Sequence, residues 1–306
     1  MPNESLTNTP DGIPLFDAHP GTASLRDEVL AGLGARPRAI PPKFFYDARG
    51  SELFDQICDV PEYYQTRTEI GILQACVGEL AGLIREESLL IELGSGASKK
   101  VRLLLEQLRP SAYVGVDISK EFLLNATATL ARDYPWLRVQ AACVDFSDGL
   151  DIPHAADSLH KVAFFPGSSI GNFDPDDAVH LMRDVAEMVG EGGHFLIGVD
   201  LKKPVDILNA AYNDAAGITA AFNRNLLERI GAELDSEIDP EAFDHYAFYN
   251  PNDGRIEMHL VSRIAQEIRI ENRRFRFEPG ESIHTENSYK YATQEFAGLA
   301  EQAGFR

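Results

Sequence analysis

A glycine turn, Gly94-Ser95-Gly96, lies between a short apolar segment and a segment with leucines at helical spacing. Glycine lets the backbone approach a ligand that a Cβ atom would exclude, and open α/β sheets bind ligands beyond the carboxyl ends of their strands. Asp117 ends the next apolar segment, where a carboxylate can accept both ribose hydroxyls of a nucleoside. Asp145 and Phe146 follow the third segment, suited to an adenine amino group and ring. These positions predict an adenosine-binding site.

The residue beyond this turn distinguishes two classes of adenosine cofactor. A dinucleotide fingerprint needs a third small residue three positions after Gly96, so that helix and strand pack closely over a pyrophosphate. Lys99 occupies that position, so a cofactor without pyrophosphate, S-adenosyl-L-methionine, fits the pattern better. A glycine turn after a strand also occurs for purely structural reasons, and for the turn taken alone that interpretation stays open.

The segments that carry these residues alternate between strand and helix patterns. Short apolar runs predict strands at residues 88–93, 112–117, 139–144, 162–165 and 194–199. Apolar side chains at helical spacing predict helices at residues 100–108, 121–132 and 176–189. Continuous apolar strands that alternate with helices indicate a parallel sheet covered on both faces. The predicted fold class is therefore α/β, with a Rossmann-like sheet.

The segments on either side of this block have a different pattern. Before it, residues 66–84 predict an amphipathic helix in which Thr66 and Glu69 have the spacing of a capping box. After it, residues 207–230 predict one long helix, and residues 246–277 alternate with the period of antiparallel hairpins. We expect a cofactor domain and a second, α+β substrate-binding domain. Their predicted boundaries are 61–200 plus 287–306 for the first and 8–60 plus 201–286 for the second.

Composition narrows the class of partner. The 306 residues carry a formal net charge of −20, and an acidic surface repels phosphate backbones and anionic membranes, so we expect no nucleic acid and no membrane partner. No apolar run approaches the ~20 residues that span a bilayer, and the polar N-terminus lacks a signal core. Three cysteines without a Cys-x-x-Cys pair indicate a reducing compartment. The sequence predicts a cytoplasmic monomer with small-molecule ligands.

No metal is expected from the sequence. The eight histidines show no clustered metal-ligand spacing, and His259 and His284 are expected at the surface. Residues 174–177 contain three aspartates, but the proline among them, beside a predicted helix start, indicates N-capping instead.

Five further blocks of sequence resemble one enzyme family. They are residues 41–54 (PPKFFYDARGSELF), 61–67 (PEYYQTR), 165–172 (FPGSSIGN), 212–225 (YNDAAGITAAFNRN) and 285–288 (TENS). From about Ala31 to the C-terminus the chain resembles the L-histidine Nα-methyltransferases of ergothioneine biosynthesis. The resemblance implies a class I methyltransferase fold and S-adenosyl-L-methionine as methyl donor. It also implies trimethylation of L-histidine, through its mono- and dimethyl forms, to hercynine.

The resemblance further implies roles for individual residues. Positions expected to contact the cofactor are Gly94, Ser95, Lys100, Asp117, Asp145 and Phe146. Positions expected to bind the substrate are Tyr63, Asn172, Tyr212, Met258, Glu286 and Ser288. Positions expected to be catalytic are Tyr46, Asn172 and Gly167. Within these sets, Asn172 and Tyr212 match groups that hold the amino and carboxylate end of the substrate. Glu286 and Ser288 match groups that recognise the imidazole.

Each of these residues also has a purely structural interpretation. Without the family pattern, Glu286 and Ser288 would belong to a solvated loop before a predicted helix. The tyrosines would be half-buried core residues with satisfied hydroxyls, Asn172 a turn residue and Lys100 a solvated lysine in the first turn of a helix. The resemblance favours the functional interpretation for all of them.

Two alternative functions remain compatible with the sequence, and one feature departs from the family pattern. The chain could methylate another, aromatic amino acid, although Glu286 and Met258 argue for histidine. It could instead be a non-catalytic protein that binds S-adenosyl-L-methionine or histidine, although both residue sets are intact. The family pattern continues after the last helix with a strand pair, whereas this sequence stops at Arg306. We therefore expect either a shortened chain or a sheet that closes differently.

Overall fold

The computed structural model describes residues 6–18, 22–84, 87–146, 149–150, 152 and 160–306. Contacts divide the chain into two compact units. The first unit contains Met1–His19, Gln65–Leu201 and Tyr291–Arg306. The second unit contains Pro20–Tyr64 and Lys202–Lys290.

The described ranges contain the following elements. The strands are β1 (Thr7–Asn8), β2 (Pro14–Asp17), β3 (Arg38–Ala39), β4 (Leu89–Leu93), β5 (Ala112–Asp117), β6 (Arg138–Cys143), β7 (Lys161–Phe165), β8 (His194–Ile197), β9 (Ser236–Glu237), β10 (Phe243–Asn250), β11 (Arg255–Ser262), β12 (Gln266–Ile270), β13 (Arg273–Phe277) and β14 (Ser282–Tyr289). The α-helices are α1 (Thr22–Gly34), α2 (Ala48–Ile57), α3 (Tyr64–Leu83), α4 (Val101–Leu108), α5 (Lys120–Asp133), α6 (Pro175–Val189), α7 (Val205–Ala211), α8 (Ile218–Glu233) and α9 (Thr293–Gln302). Among these described helices, none combines the length and apolar character needed to cross a membrane.

One sheet organises the first unit, in the strand order β1-β2-β6-β5-β4-β7-β8. Neighbours from β2 to β8 pair in parallel, and β1 pairs with β2 antiparallel. Apolar side chains of β4 alternate between two cores, with Leu89 and Ile91 in a core shared with α6 and Leu90 in a core shared with α3, α4 and α5. The predicted α/β fold class, with a parallel sheet covered on both faces, is confirmed.

The N-terminal strand corrects one predicted boundary. Residues 8–60 were expected in the second domain, but β2 pairs in parallel with β6 in the sheet of the first unit. Leu15 and Phe16 of this strand are buried, and their burial stabilises the pairing. A four-residue strand is too short for a periodic signal, so the sequence pattern did not reveal it.

Two helix predictions were also wrong in detail. Helix α3 begins at Tyr64, so Thr66 lies inside it and forms no capping box. The single helix expected at residues 207–230 is broken into α7 and α8. Asp214 causes the break, because its two carboxylate oxygens accept the N–H groups of Ile218 at 2.9 Å and Thr219 at 2.8 Å. A side chain that satisfies free N–H groups in this way starts a new helix.

The second unit contains two small sheets. Their strand orders are β10-β11-β14-β3 and β13-β12-β9. The hairpins predicted at residues 246–277 are confirmed, as β10 pairs with β11 and β12 with β13, both antiparallel. Buried Asn223 of α8 holds the first sheet, because its Nδ2 lies 3.0 Å from the His259 carbonyl oxygen and its Oδ1 accepts the Thr285 hydroxyl at 2.8 Å. Helix α8 thereby supports β11 and β14 together.

A one-residue shift in register interrupts the pairing of β11 with β14. Met258 pairs with Glu286, but His259 pairs with His284, so Thr285 is an extra residue on β14. Paired residues face the same side of a sheet, so Glu286 shares the inner face with Met258, whereas His284 shares the outer face with His259. A β-bulge of this kind changes the direction of side chains along a strand.

A buried acid lies beneath the glycine turn in the first unit. Glu92 of β4 is 1% exposed, and its Oε2 accepts the hydroxyl of fully buried Tyr113 at 2.6 Å. Burial raises the pKa of Glu92 to about 8, although the Tyr113 hydrogen bond and Lys100 oppose the shift. Glu92 is therefore protonated in the folded protein at neutral pH, which avoids an uncompensated buried charge.

This raised pKa predicts a pH dependence of stability. Between about 4.5 and about 8 the folded chain keeps a proton on Glu92 that the unfolded chain has released, so stability falls with rising pH by up to about 1.4 kcal/mol per pH unit. Glu92→Gln removes this dependence. As the pH rises through this window, the free energy of unfolding of the variant should therefore increase relative to that of the wild type. Denaturant titrations at several pH values, with exposed Glu79→Gln as control, measure the difference. A difference that is constant with pH would contradict the shift.

Candidate functional site

The glycine turn follows β4, and the neighbouring strand β5 holds its backbone. Gly94 and Gly96 have φ angles of 63° and 48°, in the left-handed region that favours glycine. The Ser95 N–H donates to the Val116 carbonyl at 3.0 Å, and the Gly96 N–H donates to Asp117 Oδ2 at 2.9 Å. Cβ atoms placed on the two glycines would come no closer than 3.8 Å to the surrounding described atoms. These hydrogen bonds hold the turn in one conformation.

The carboxylate of Asp117 binds backbone N–H groups of the glycine turn and of the segment just after β5. Its Oδ2 accepts the Gly96 N–H, and its Oδ1 accepts the Ser119 N–H at 2.9 Å. Burial raises the pKa of Asp117, while these backbone donors lower it. A carboxylate has about four acceptor positions, so Asp117 retains capacity for the hydroxyl groups of a ligand.

Asp145 and Phe146 follow β6, which lies beside β5 in the sheet. Both are half-buried. The Phe146 ring meets Phe165 edge-on, with 5.6 Å between centroids, and lies 6.3 Å from Phe173. The sheet edge thus offers a carboxylate next to an aromatic wall, the pair that an adenine base requires.

Glu69 of α3 is a site residue that the sequence analysis missed. Its carboxylate accepts the Gly167 N–H at 2.9 Å and forms an ion pair with Lys100, with 2.5 Å between Nζ and Oε2. A Cβ atom on Gly198, just after β8 ends, would overlap Glu69 Oε1, so any larger residue there would displace this carboxylate. Glu69 therefore ties the start of α4 to the ends of β7 and β8. Its position in an amphipathic helix resembled a capping residue, which concealed this role.

Gln65, one helical turn before Glu69, lies on the same side of α3. It is 8% exposed, and neither its amide oxygen nor its amide nitrogen has a hydrogen-bond partner among the described residues. A buried polar group without a partner costs roughly 1–3 kcal/mol. The unsatisfied amide is therefore a candidate ligand contact that no sequence pattern indicated.

The segment after β7 carries Gly167 and Asn172. Gly167 has a φ of 84°, and its N–H is already bonded to Glu69. Any catalytic role of Gly167 would therefore rest on its carbonyl group or on the backbone conformation that it gives the loop. Asn172 ends a 3-10 turn, Ser169–Asn172, and is half-buried at the same edge of the sheet as the glycine turn.

The substrate residues expected in the second unit form a buried polar group. Tyr212 donates its hydroxyl to Ser288 Oγ at 2.7 Å, and Lys290 Nζ lies 2.8 Å from the same oxygen. Glu286 precedes Ser288 by two positions, so both face the inner side of the sheet with Met258. Burial raises the pKa of Glu286 to about 7, and Lys290 opposes the shift. Lys290 is, like Glu69 and Gln65, a residue of the site that the sequence pattern did not indicate.

Two aromatic residues expected near the substrate lie in the same unit. The rings of Tyr63 and Tyr212 meet edge-on with centroids 6.3 Å apart. Burial raises the pKa of Tyr63 well above its ordinary value, with nearby Glu286 adding to the shift. Tyr46 is half-buried and packs edge-on against Phe222, 5.6 Å between centroids. The Tyr63 hydroxyl therefore stays protonated and able to donate.

The outer face of the β10-β11-β14 sheet carries a second polar cluster. Glu257, His259 and His284 bring possible ligand atoms within 4.8 Å of one another. The Arg255 guanidinium already lies 2.9 Å from Glu257 and occupies the carboxylate that a cation would need. His259 and His284 are half-buried on this outer face, and their rings stack with 4.9 Å between centroids, so both stay partly exposed at the surface. A cleft of about 860 Å³ on this face is lined by His259 but by none of the expected site residues.

Comparisons with known proteins match nearly the whole chain to one family. A sequence profile described as "Histidine-specific methyltransferase, SAM-dependent" matches residues 25–306. The chain is 40% identical over 290 residues to a histidine N-alpha-methyltransferase of Mycolicibacterium smegmatis, covering 92% of this chain and 89% of that protein. It is 39% identical over 292 residues to the protein of the same name from Mycobacterium tuberculosis, covering 93% and 89%. It is 34% identical over 255 residues to ergothioneine biosynthesis protein 1 of Neurospora crassa, covering 77% of this chain and 29% of that protein.

The family match spans both units and includes the glycine turn, Asp117, Glu286 and Ser288. The resemblance inferred from the five sequence blocks is thereby confirmed. The chain belongs to the histidine-specific, S-adenosylmethionine-dependent methyltransferases.

Proposed function

We propose that the protein transfers three methyl groups in succession from S-adenosyl-L-methionine to the α-amino group of L-histidine. The product is hercynine, and the reaction is the first step of ergothioneine biosynthesis. The observation that carries the proposal is the buried row of Glu286 and Ser288 on the inner face of β14, in a chain of the histidine-specific family. We also propose that the partners of the protein are small molecules, and that it is a monomer in the cytoplasm.

The residues at the sheet edge fit the methyl donor. Because Gly94 and Gly96 carry no Cβ, the donor has close access to the backbone of the turn, and Lys100 offers an ammonium to a carboxylate. The free lone pairs of Asp117 suit ribose hydroxyls, and Asp145 with Phe146 suits the adenine. When bound, S-adenosyl-L-methionine supplies a sulfonium methyl group that an amine lone pair can attack.

The substrate residues divide by the part of histidine they would bind. Asn172 and Tyr212 would hold the amino and carboxylate end, and Tyr46 with Gly167 would lie near the reacting amine. Glu286 and Ser288 would bind the imidazole, with Tyr63 and Met258 beside the ring. Transfer requires a neutral amine held in line with the methyl group, so orientation in a water-poor site is the main contribution of the chain. Aromatic faces also favour the quaternary cation that forms.

Mass spectrometry of the reaction tests the proposal directly. The protein is incubated with S-adenosyl-L-methionine and the twenty amino acids singly. We expect histidine alone to acquire one, two and three methyl groups. Transfer to tryptophan or tyrosine but not histidine would support the aromatic alternative. Binding of both ligands without any transfer would support a non-catalytic role.

Glu69→Gln tests the link between α3 and the cofactor residues. The variant keeps the shape of the side chain but loses the charge that holds Lys100, so we expect the Kd of S-adenosyl-L-methionine to rise about tenfold. The Kd of histidine should change much less. Isothermal titration measures both constants, with exposed Glu79→Gln on the same helix as control.

Gly198→Ala provides a second test of the same contact. The added Cβ would displace the Glu69 carboxylate without removing its charge, so cofactor binding should weaken in this variant too. Unchanged cofactor binding in both variants would show that Glu69 serves only the fold.

Glu286→Gln tests the imidazole assignment. Loss of a charge-assisted hydrogen bond should lower kcat/KM for histidine about 100-fold, with little change in the KM of the cofactor. The wild-type kcat/KM should decrease as the pH falls below about 7, because Glu286 then takes up a proton and loses the charge that strengthens its hydrogen bond to the imidazole. Deprotonation of the substrate amine adds to this fall. Steady-state kinetics from acid to alkaline pH, with exposed Glu228→Gln as control, measures both effects. Unchanged histidine kinetics would disprove the assignment.

A further inference from the structure

Lys290 is a buried cation for which the proposed function gives no role. Its side chain is 1% exposed, directly after the end of β14. Its Nζ lies 2.8 Å from Ser288 Oγ and 3.2 Å from the Tyr212 hydroxyl oxygen. Because residues two apart along a strand face the same side, Glu286, Ser288 and Lys290 form one row on the inner face.

The hydrogen bonds of Ser288 can be counted. A serine hydroxyl has two acceptor lone pairs and one hydrogen, and a lysine ammonium only donates. Tyr212 donates to Ser288 Oγ at 2.7 Å, and Lys290 donates to the same atom at 2.8 Å. Tyr212 itself accepts a hydrogen bond from Lys290, which directs its own hydrogen to Ser288. Both lone pairs of Ser288 are occupied, so its hydrogen remains to donate elsewhere.

We propose that Lys290 is a specificity-determining residue that acts through Ser288, by making its hydroxyl a hydrogen-bond donor toward the substrate ring. The inference rests on the proposed function and adds the form of the substrate that is bound. Ionised Glu286 accepts a hydrogen bond, and Ser288 donates one. A neutral imidazole has one N–H and one bare nitrogen, whereas an imidazolium has two N–H groups. The pair therefore selects neutral imidazole in a single tautomer.

Lys290 also affects the other member of the pair. Its charge lowers the pKa of Glu286 and opposes the effect of burial, which raises that pKa to about 7. From the segment before α3, Tyr63 also faces Glu286, and its own pKa rises partly because of that carboxylate. Lys290 thus favours the ionised, accepting form of Glu286 while it fixes the donating form of Ser288.

The same arrangement explains how other aromatic side chains are rejected. A phenyl or phenol ring offers no bare ring nitrogen, and an indole offers only an N–H. A phenyl or indole ring would leave the Ser288 hydrogen without an acceptor in a buried site, whereas a phenol offers an acceptor only on its hydroxyl oxygen, outside the ring. A site built to hydrogen-bond a substrate discriminates strongly against analogues that leave its groups unpaired.

Nitrogen NMR of the unaltered protein tests the selected form. Histidine labelled with ¹⁵N in the ring is bound together with S-adenosylhomocysteine at neutral pH. We expect one protonated and one bare ring nitrogen, in one tautomer without averaging. Two protonated nitrogens, or an average of both tautomers, would overturn the inference. Failure of histidine to bind would instead count against the proposed function.

Variants of Lys290 test its action through Ser288. Lys290→Met should raise the KM for histidine at least tenfold and leave the KM of the cofactor unchanged. In a Ser288→Ala background the same change should add little, because the two residues act as a unit. Fully additive effects in the double variant would overturn the inference. Exposed Lys202→Met in the same unit is the matched control.

Lys290→Gln covers the case in which the apolar variant fails to fold. Glutamine keeps a donor for Ser288 but removes the charge, so the KM at alkaline pH should stay near the wild-type value. The acid limb of kcat/KM should move to higher pH, because Glu286 loses the cation that lowers its pKa. A limb that stays in place, or a KM raised equally at all pH values, would overturn the role assigned to Lys290.

Discussion

Parallel pairing of β5, β4 and β7 decides where the polar groups of the first unit can act. Strands that run in one direction bring their carboxyl ends to one edge, so the glycine turn, Asp117 and Gly167 become neighbours although they are distant in sequence. The strands are covered on both faces, so a polar side chain must either be satisfied inside, as Glu92 is by Tyr113, or project from that edge. Glu69 then binds two of the projecting groups at once.

The second unit depends on a different balance. Tyr212, Glu286, Ser288 and Lys290 are all buried, and burial of polar groups is costly unless each finds a partner. In this low-dielectric setting a satisfied network is rigid and an unsatisfied group is expensive. Chemical discrimination and structural order therefore arise from the same contacts, because a ligand of the wrong hydrogen-bonding pattern leaves the network incomplete.

Sequence reasoning predicted the parts of this molecule whose signals are local. Apolar runs and glycine located strands β4 to β8 of the first unit and the turn after β4. Features that depend on distant partners were missed. Glu69 matched a capping residue because its partners, Lys100 and Gly167, come from other segments. The break between α7 and α8 was hidden because alanines 215 and 216 favour helix. No sequence pattern indicated that Asp214 accepts the first N–H groups of α8.

Glu286 shows most clearly why the family pattern was needed. Strict alternation along β14 would place His284 and Glu286 on the same face, since they are two positions apart. The extra residue, Thr285, places them on opposite faces. The inner face thus combines Ile283 with Glu286, three positions away. Which side chains this strand offers inward is therefore set by the number of residues in the bulge as well as by their identity. Without the bulge, strict alternation would turn either Ile283 or Glu286 away from the inner face, so the strand could not offer an apolar anchor and the acid to the same side.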